Sequence, residues 1–255
     1  MIYSVIALLL ASLLTSWSQP LSPNDPVWQS QQYPPQASAP NCSGYFVATD
    51  GSDSSNGLTP MAAFKTIGYA LSNSTPGSVI QLVSTDTFGP YPYGLTFQHA
   101  NTLSSYGAGM ATIVWTNGIG LTVSNLGNIS IKNVNLIGTN AINGIAFYDY
   151  VAGISNLNVV NCHITSCVTN SIPPSGNVQG GHVILVDAGT AGSDWNITIR
   201  DGMVSDSFAA GILIWSDHNN FPLCQTNVVI NQRVIKNIFG KLIIGVSVGQ
   251  GSTSE

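Results

Sequence analysis

The chain has 255 residues, of which 44% are hydrophobic and only 7% charged, and its formal net charge is −5. Globular domains carry about a quarter charged residues, so solubility here falls to Ser, Thr, Asn and Gly. With six Lys plus Arg in all, the chain lacks the clustered bases that neutralise nucleic-acid phosphates, and no nucleic-acid partner is expected.

The apolar run VIALLLASLL, from Val5 to Leu14, is shorter than the roughly 20 residues a membrane-spanning helix needs. Small residues at Ser16 and Ser18 place a signal-peptidase cut after Ser18, although no basic segment precedes the run. Residues 1–18 are therefore read as a signal peptide and the product as secreted or extracellular, with no transmembrane segment. Residues 19–41, rich in Pro, Gln and Ser, read as a flexible or polyproline-like linker. The folded domain is placed at 42–255. Cys42, Cys162, Cys167 and Cys224 allow three pairings. A bridge from Cys162 to Cys167 across one short strand is strained, and Cys224 is an alternative partner for either. Sequons of the N-x-S/T type start at Asn41, Asn73, Asn128 and Asn196. They would make a glycoprotein in a eukaryotic secretory pathway, although chance explains most of them in so Asn-rich a chain.

From Gly44 the chain reads GYFVATDGSDSSNGLTPMAAFKTIGYAL, a strand, a Gly/Ser/Asp loop and a helix. Thr59 is placed as the helix cap and Pro60 at its first position, with Phe64, Ile67 and Leu71 on one face. Asp50, Asp53 and Asn56 in the loop lack the spacing of a calcium-binding EF-hand and of a phosphate-cradling P-loop. Asx turns joining strand to helix are expected there instead. A short strand, Gly77 to Val83, follows, and beyond it come short β-prone runs punctuated by Gly and Asn.

Four of those runs align without gaps: ISIKNVNLI from Ile129, LNVVNCHIT from Leu157, ITIRDGMVS from Ile197 and VVINQRVIK from Val228. Ile131, Val159, Ile199 and Ile230 share one column, and Leu136, Ile164, Val204 and Ile235 another, with period-2 alternation before the turn. Between the columns stand Asn133, Asn161, Asp201 and Gln232, side chains able to hydrogen-bond along a stack. The first column recurs at intervals of 28, 40 and 31 residues, more than the roughly twenty of one solenoid coil. The excess is placed in loops, VTNSIPPSGNVQGG, DAGTAGSDWN and SDHNNFPLCQT. Upstream of the repeats lie GIGLTV from Gly118, GIAFYD from Gly144, HVILVD from His182 and GILIWS from Gly211, with GVSVG opening a further one.

This order resembles the right-handed parallel β-helix proteins of the pectate-lyase-like superfamily, over about Gly44 to Gly249. YFVATDGSDSSNGLTPMAAFKTIGYAL followed by PGSVIQL looks like the opening segment of many secreted members. In those, a strand, a G-x-D-x-x-x-G loop, a Pro-started helix and a P-G-[DS]-x-I strand precede the first coil. The resemblance implies an all-β fold, a right-handed parallel β-helix or solenoid with a short N-terminal capping helix. It also implies a binding groove along the strands that begin with the GI segments.

On those strands Ile145, Val183 and Ile212 are expected to point inward. Tyr148, Val186 and Trp215 then share one outward column, and Asp149, Asp187 and Ser216 the next, with Asp217 and His218 just beyond. Neighbouring strands lie about 4.8 Å apart. Asp149 and Asp187 are therefore expected as two carboxylates in one groove, suited to holding calcium or to acting as a catalytic pair. Tyr148 and Trp215 offer sugar-stacking faces, with Asp217 and His218 as further substrate contacts. The plainer alternative is that both aspartates merely start turns. Lys132 and Arg200 share an outward column on a different face and read as solvated surface. No two of His99, His163, His182 and His218 stand at metal-ligand spacing. The N-T-D, D-D, G-H-G and R-I-K set of polygalacturonases is absent, and RVIK at Arg233 to Lys236 does not match it.

The expected function is a secreted protein that acts on or binds polysaccharide, a lyase or glycoside hydrolase if active, with calcium as the one cofactor the aspartates would take. The alternatives are a non-catalytic surface or adhesive module, and an inactive fragment of a larger enzyme, since the chain ends at GVSVGQGSTSE where another coil begins.

Overall fold

The computed structural model describes residues 44–139, 141–149, 156–166, 181–188, 195–207, 211–216, 226–231, 234–238 and 244–246. All lie in the second of the chain's two units, Ala39–Glu255. The signal peptide and linker read over 1–41 fall outside the described residues, as do Cys42, Cys167, Asp217, His218, Cys224 and Gln232. Among the described residues no helix is long and apolar enough to cross a membrane.

The chain opens with strand β1 (Gly44–Val47), a 3-10 turn (Pro60–Ala62) and helix α1 (Ile67–Asn73). The sequence pattern predicts one helix starting at Pro60, and the structure divides it. Thr59 caps only the 3-10 turn, its hydroxyl accepting from the Ala62 N–H. Phe64 then leaves helical geometry to bridge Val47 of β1. The carboxylate of Asp53 takes the N–H groups of Lys65 and Thr66 at 2.8 and 2.9 Å and the Thr66 hydroxyl at 2.9 Å. Those donors are thus satisfied by a side chain, and helix starts only after Thr66, whose Oγ1 caps the Tyr69 N–H. Phe64, Ile67 and Leu71 are buried, as their spacing predicts. The Asn56 carboxamide oxygen accepts from the Leu58 N–H at 3.0 Å, one of the expected Asx turns.

The remaining strands fall into three sheets, all of whose described pairings are parallel. The first holds β1, β2 (Val79–Val83), β5 (Thr102–Tyr106), β8 (Ile129–Lys132), β11 (Leu157–Val160), β14 (Trp195–Arg200) and β17 (Thr226–Asn231) in that order. The second holds β3 (Thr87–Tyr91), β6 (Ala111–Trp115), β9 (Val134–Gly138), β12 (His163–Ser166), β15 (Met203–Ser207) and β18 (Val234–Ile238). The third holds β4 (Leu95–Thr96), β7 (Gly118–Ser124), β10 (Ala141–Asp149), β13 (His182–Ala188), β16 (Ile212–Ser216) and β19 (Ile244–Val246). From β2 onward the chain visits first, second and third sheet in unchanging order, so each strand pairs with its counterpart one circuit away. This cyclic order is the one a parallel β-helix requires.

Register follows the aligned columns. Ile131, Val159, Ile199 and Ile230 stand opposite one another across the first sheet. Leu136, Ile164, Val204 and Ile235 do so across the second. Their described side chains are buried in one continuous core. The turn from first to second sheet is made by Asn133, Asn161 and Asp201, at φ of 54°, 50° and 60°. Asn and Asp tolerate this left-handed geometry better than other side chains. The Asn161 Nδ2 donates to Asn133 Oδ1 at 2.9 Å, so the expected ladder forms between these two.

A second ladder stands at the return from third to first sheet. Asn156 Nδ2 donates to Asn128 Oδ1 at 2.7 Å, and Asn196 Nδ2 donates to Asn156 Oδ1 at 3.2 Å. Asn227 is in register with Asn196. The four asparagines recur at 28, 40 and 31 residues, the same intervals as the Ile131 column. That recurrence is the sequence signal for them.

The edge of β1 is not left open. Phe46 donates its N–H to Gly57 O at 2.7 Å, while Phe64 N–H donates to Phe46 O and Ala48 N–H to Phe64 O. The opening segment therefore pairs the outermost strand of the first sheet, which would otherwise be a template for aggregation.

Candidate functional site

The third sheet buries both of its faces around β10, β13 and β16. Ile145, Phe147, Ile184, Val186, Ile212 and Ile214 belong to the main core. The intervening residues Ala146, Leu185 and Leu213 form a separate buried cluster, against which Ile119 and Tyr148 pack. Side chains alternate across a strand, so the second cluster marks the outer face.

The register places Ser124, Tyr148, Asp187 and Trp215 opposite one another in a single column. Asp149 stands opposite Ala188, and Ala188 opposite Ser216. This corrects the expected grouping. Tyr148 and Trp215 do share a column, but β13 is displaced by one residue, so Asp187 rather than Val186 stands between them. Ile184, not Val183, is the register partner of Ile145 and Ile212, although Val183 too belongs to the main core, as expected. Asp149 and Asp187 are consequently not cross-strand neighbours. For Asp149 and Trp215 the described structure is that of the backbone alone, and Asp217 and His218 lie outside the described residues.

Asp187 is only 8% exposed. A buried titratable group beside a partly open aromatic is a candidate for function. Tyr148 is half-buried, and its phenol titrates above the ordinary value. Burial is the main cause, the Asp187 charge adds to it, and hydrogen bonding with the Asn143 side chain opposes both. Asn143 is itself fully buried, and its Oδ1 accepts from the His182 N–H at 3.0 Å. Asn143 was not among the residues the sequence singled out, because Asn before Gly reads as a turn. The face opens toward earlier strands, where Ser124 and Thr96 are exposed and Thr122 is half-buried.

Calcium takes six to eight oxygen ligands. In the column the described side chains supply one carboxylate, that of Asp187, which does not by itself make such a shell. Among the described residues no group of three or more His, Cys, Asp or Glu could hold a metal ion.

The basic residues lie elsewhere. Lys132 and Arg200 share an outward column on the first sheet, through Val160, as expected. Arg200 forms an ion pair with Asp201. Lys65 belongs to the opening segment and Lys236 to β18 of the second sheet, while Arg233 and Lys241 lie outside the described residues. No described strand of the third sheet contains Lys or Arg.

Two further groups carry no site. Cys162 is a free, buried thiol pushed up to about 12 by burial, with Sγ in contact with the carbonyls of Ile131 and Val160. It is protonated at neutral pH and is no nucleophile. His163, half-buried on the second sheet, is held below the usual histidine range by burial. No protein-family model matches the chain, and no curated protein sequence matches it.

Proposed function

We propose that the chain is a secreted right-handed parallel β-helix protein, similar to the pectate-lyase-like superfamily, that binds or acts on polysaccharide along the outer face of its third sheet. The observation that carries this is the column of Ser124, Tyr148, Asp187 and Trp215. Aromatic rings stack on the apolar faces of pyranoses, and a buried carboxylate supplies directional hydrogen bonds or a proton. Successive strands repeat at about 4.8 Å, so a column suits an extended repeating ligand better than a compact one.

If the site is catalytic, the chemistry is that of a glycoside hydrolase or polysaccharide lyase with Asp187 as the acid or base. A second reading is a non-catalytic adhesive module. It is favoured by the lone described carboxylate in the column, since glycoside hydrolysis normally uses a pair. A polysaccharide panel separates the two. Release of reducing ends or unsaturated uronates, lost in Asp187→Asn, supports the enzyme. Binding without product, weakened at least about tenfold in Tyr148→Ala, supports the module. No binding and no product across the panel would remove both.

A further inference from the structure

We infer that Asn143 is a positioning residue for Tyr148: its carboxamide ties the Tyr148 hydroxyl to the backbone of β13 and so holds the aromatic ring in place. This rests on the reading of the third-sheet outer face as the carbohydrate site, and it adds the residue that orients the aromatic of that site.

The course of the strand puts Asn143 within reach. Alternation counted back from Ile145 and Phe147, both in the main core, would turn Asn143 inward. The strand does not alternate at that point. A Cβ on Gly144 would lie 2.7 Å from Cγ2 of Ile164, a core residue, so Gly144 faces the core as Ile145 does. On β13, Val183 and Ile184 likewise both belong to the main core. Two successive inward positions return Asn143 to the side of Ala146 and Tyr148, the side of the outer cluster. Gly144 is needed for this step, because its Cβ would also come within 2.5 Å of Val183 O and force the β13 backbone away. The pairing continues across the irregularity, with Asn143 opposite His182 and Tyr148 opposite Asp187.

The hydrogen bonds fix which way the carboxamide points. Asn143 is fully buried, and its Oδ1 accepts from the His182 N–H at 3.0 Å. A backbone N–H can only donate, so this bond sets the amide orientation and leaves Nδ2 to the other partner. That partner is the Tyr148 phenol. Burial and the Asp187 charge raise its pKa, and the bond with Asn143 acts in the opposite sense. A hydrogen bond with that effect is donated to the phenol oxygen, so Nδ2 donates and Tyr148 Oη accepts. One side chain thereby links β13 to the tip of an aromatic five residues further along β10. The ring is held at its backbone and at its far end. A ring so held loses less conformational freedom when a ligand stacks on it.

The test begins with the free, full-length chain. In nitrogen-15 NMR spectra the Asn143 side-chain NH2 signal should shift in Tyr148→Phe, which removes only the oxygen it donates to. In Asn143→Ala, the Tyr148 phenol, followed by carbon-13 labelling of the tyrosine ring, should titrate at higher pH than in the unaltered chain. An unmoved NH2 signal or an unmoved phenol titration overturns the inference. Binding is then measured on any polysaccharide of the panel that the chain retains. Asn143→Ala should weaken it about tenfold in the unaltered background and hardly at all in the Tyr148→Phe background. An equal loss in both backgrounds means that Asn143 does not act through Tyr148, and also overturns the inference. If Asn143→Ala does not fold, the NH2 signal in Tyr148→Phe decides the matter. Failure of every polysaccharide to bind removes the carbohydrate reading, while the two NMR measurements still decide whether Asn143 holds Tyr148.

Discussion

Asn133 and Asn161 each meet two demands at one position. The backbone there is left-handed, and the side chain must bond to its neighbour one circuit away. Substitution separates the two demands. Asn161→Ala loses the ladder bond and strains the backbone, costing about 2–3 kcal/mol in all. Asn161→Gly removes the strain and keeps only the bond loss, about 1 kcal/mol. Urea unfolding midpoints measure both, and an Ala variant as stable as the Gly variant would contradict the account. Cys162 gives a pH prediction. The folded thiol keeps its proton up to about 12, whereas the unfolded value is 9.0. Its contribution to stability is therefore full below about 9 and is lost as pH rises through about 12. Cys162→Ala should flatten the alkaline slope of stability, part of which remains because Tyr91, Tyr106 and Tyr148 are also raised. Peptide-level labelling at pH 8 should find Cys162 unreactive in the native protein and reactive after unfolding. At this scale the sequence marks one asparagine stack and hides the other. Asn133 and Asn161 interrupt apolar alternation and stand out. Asn128 and Asn196 sit inside N-x-S/T triplets, where a modification motif competes for attention.

Strand β13 shows where patterning fails. Hydrophobic alternation fixes register only if one face is polar. In β8, β11 and β14 that holds, and the aligned columns match the observed register. In β13 both faces are apolar, with Val183, Ile184, Leu185 and Val186 all buried, so a shift of one residue leaves the pattern unchanged. The consequence fell on the site, because the shift decides whether Asp187 neighbours Asp149 or Tyr148. The split of the opening helix was hidden for a different reason. Its cause is Asp53, which bonds donors 12 and 13 residues further along, a contact that propensity and local spacing do not encode. Asp53→Ala removes three hydrogen bonds around the start of α1 and should cost about 1–2 kcal/mol. Hydrogen exchange should quicken in Ile67–Asn73 and much less in the later strands. Equal acceleration throughout would mean that the segment is not a local cap.

Among the described strands, contacts link each one to its counterparts in the neighbouring circuits, so stability is spread along the stack rather than gathered at a centre. The stacking of circuits was legible because the two apolar columns and the upstream GI segments recur in the same order, although at unequal intervals of 28, 40 and 31 residues. The outer surface of the third sheet was less so. Segments 167–180, 189–194 and 217–225 each adjoin a third-sheet strand in the chain and lie outside the described residues. The stacked asparagines at the third-to-first return also bear on how the protein is made. Asn196 uses its Nδ2, the atom to which an N-linked sugar is attached, to hold Asn156, and Asn128 is the next link in the same stack. Expression in a host that glycosylates N-x-S/T sites would set the sugar against the ladder. Intact-mass analysis of material secreted from such a host should find Asn196 unmodified in the folded fraction, with any Asn196-linked glycan confined to misfolded or less stable product. Full occupancy in a fraction as stable as unglycosylated protein would show that the stack tolerates a substituted rung.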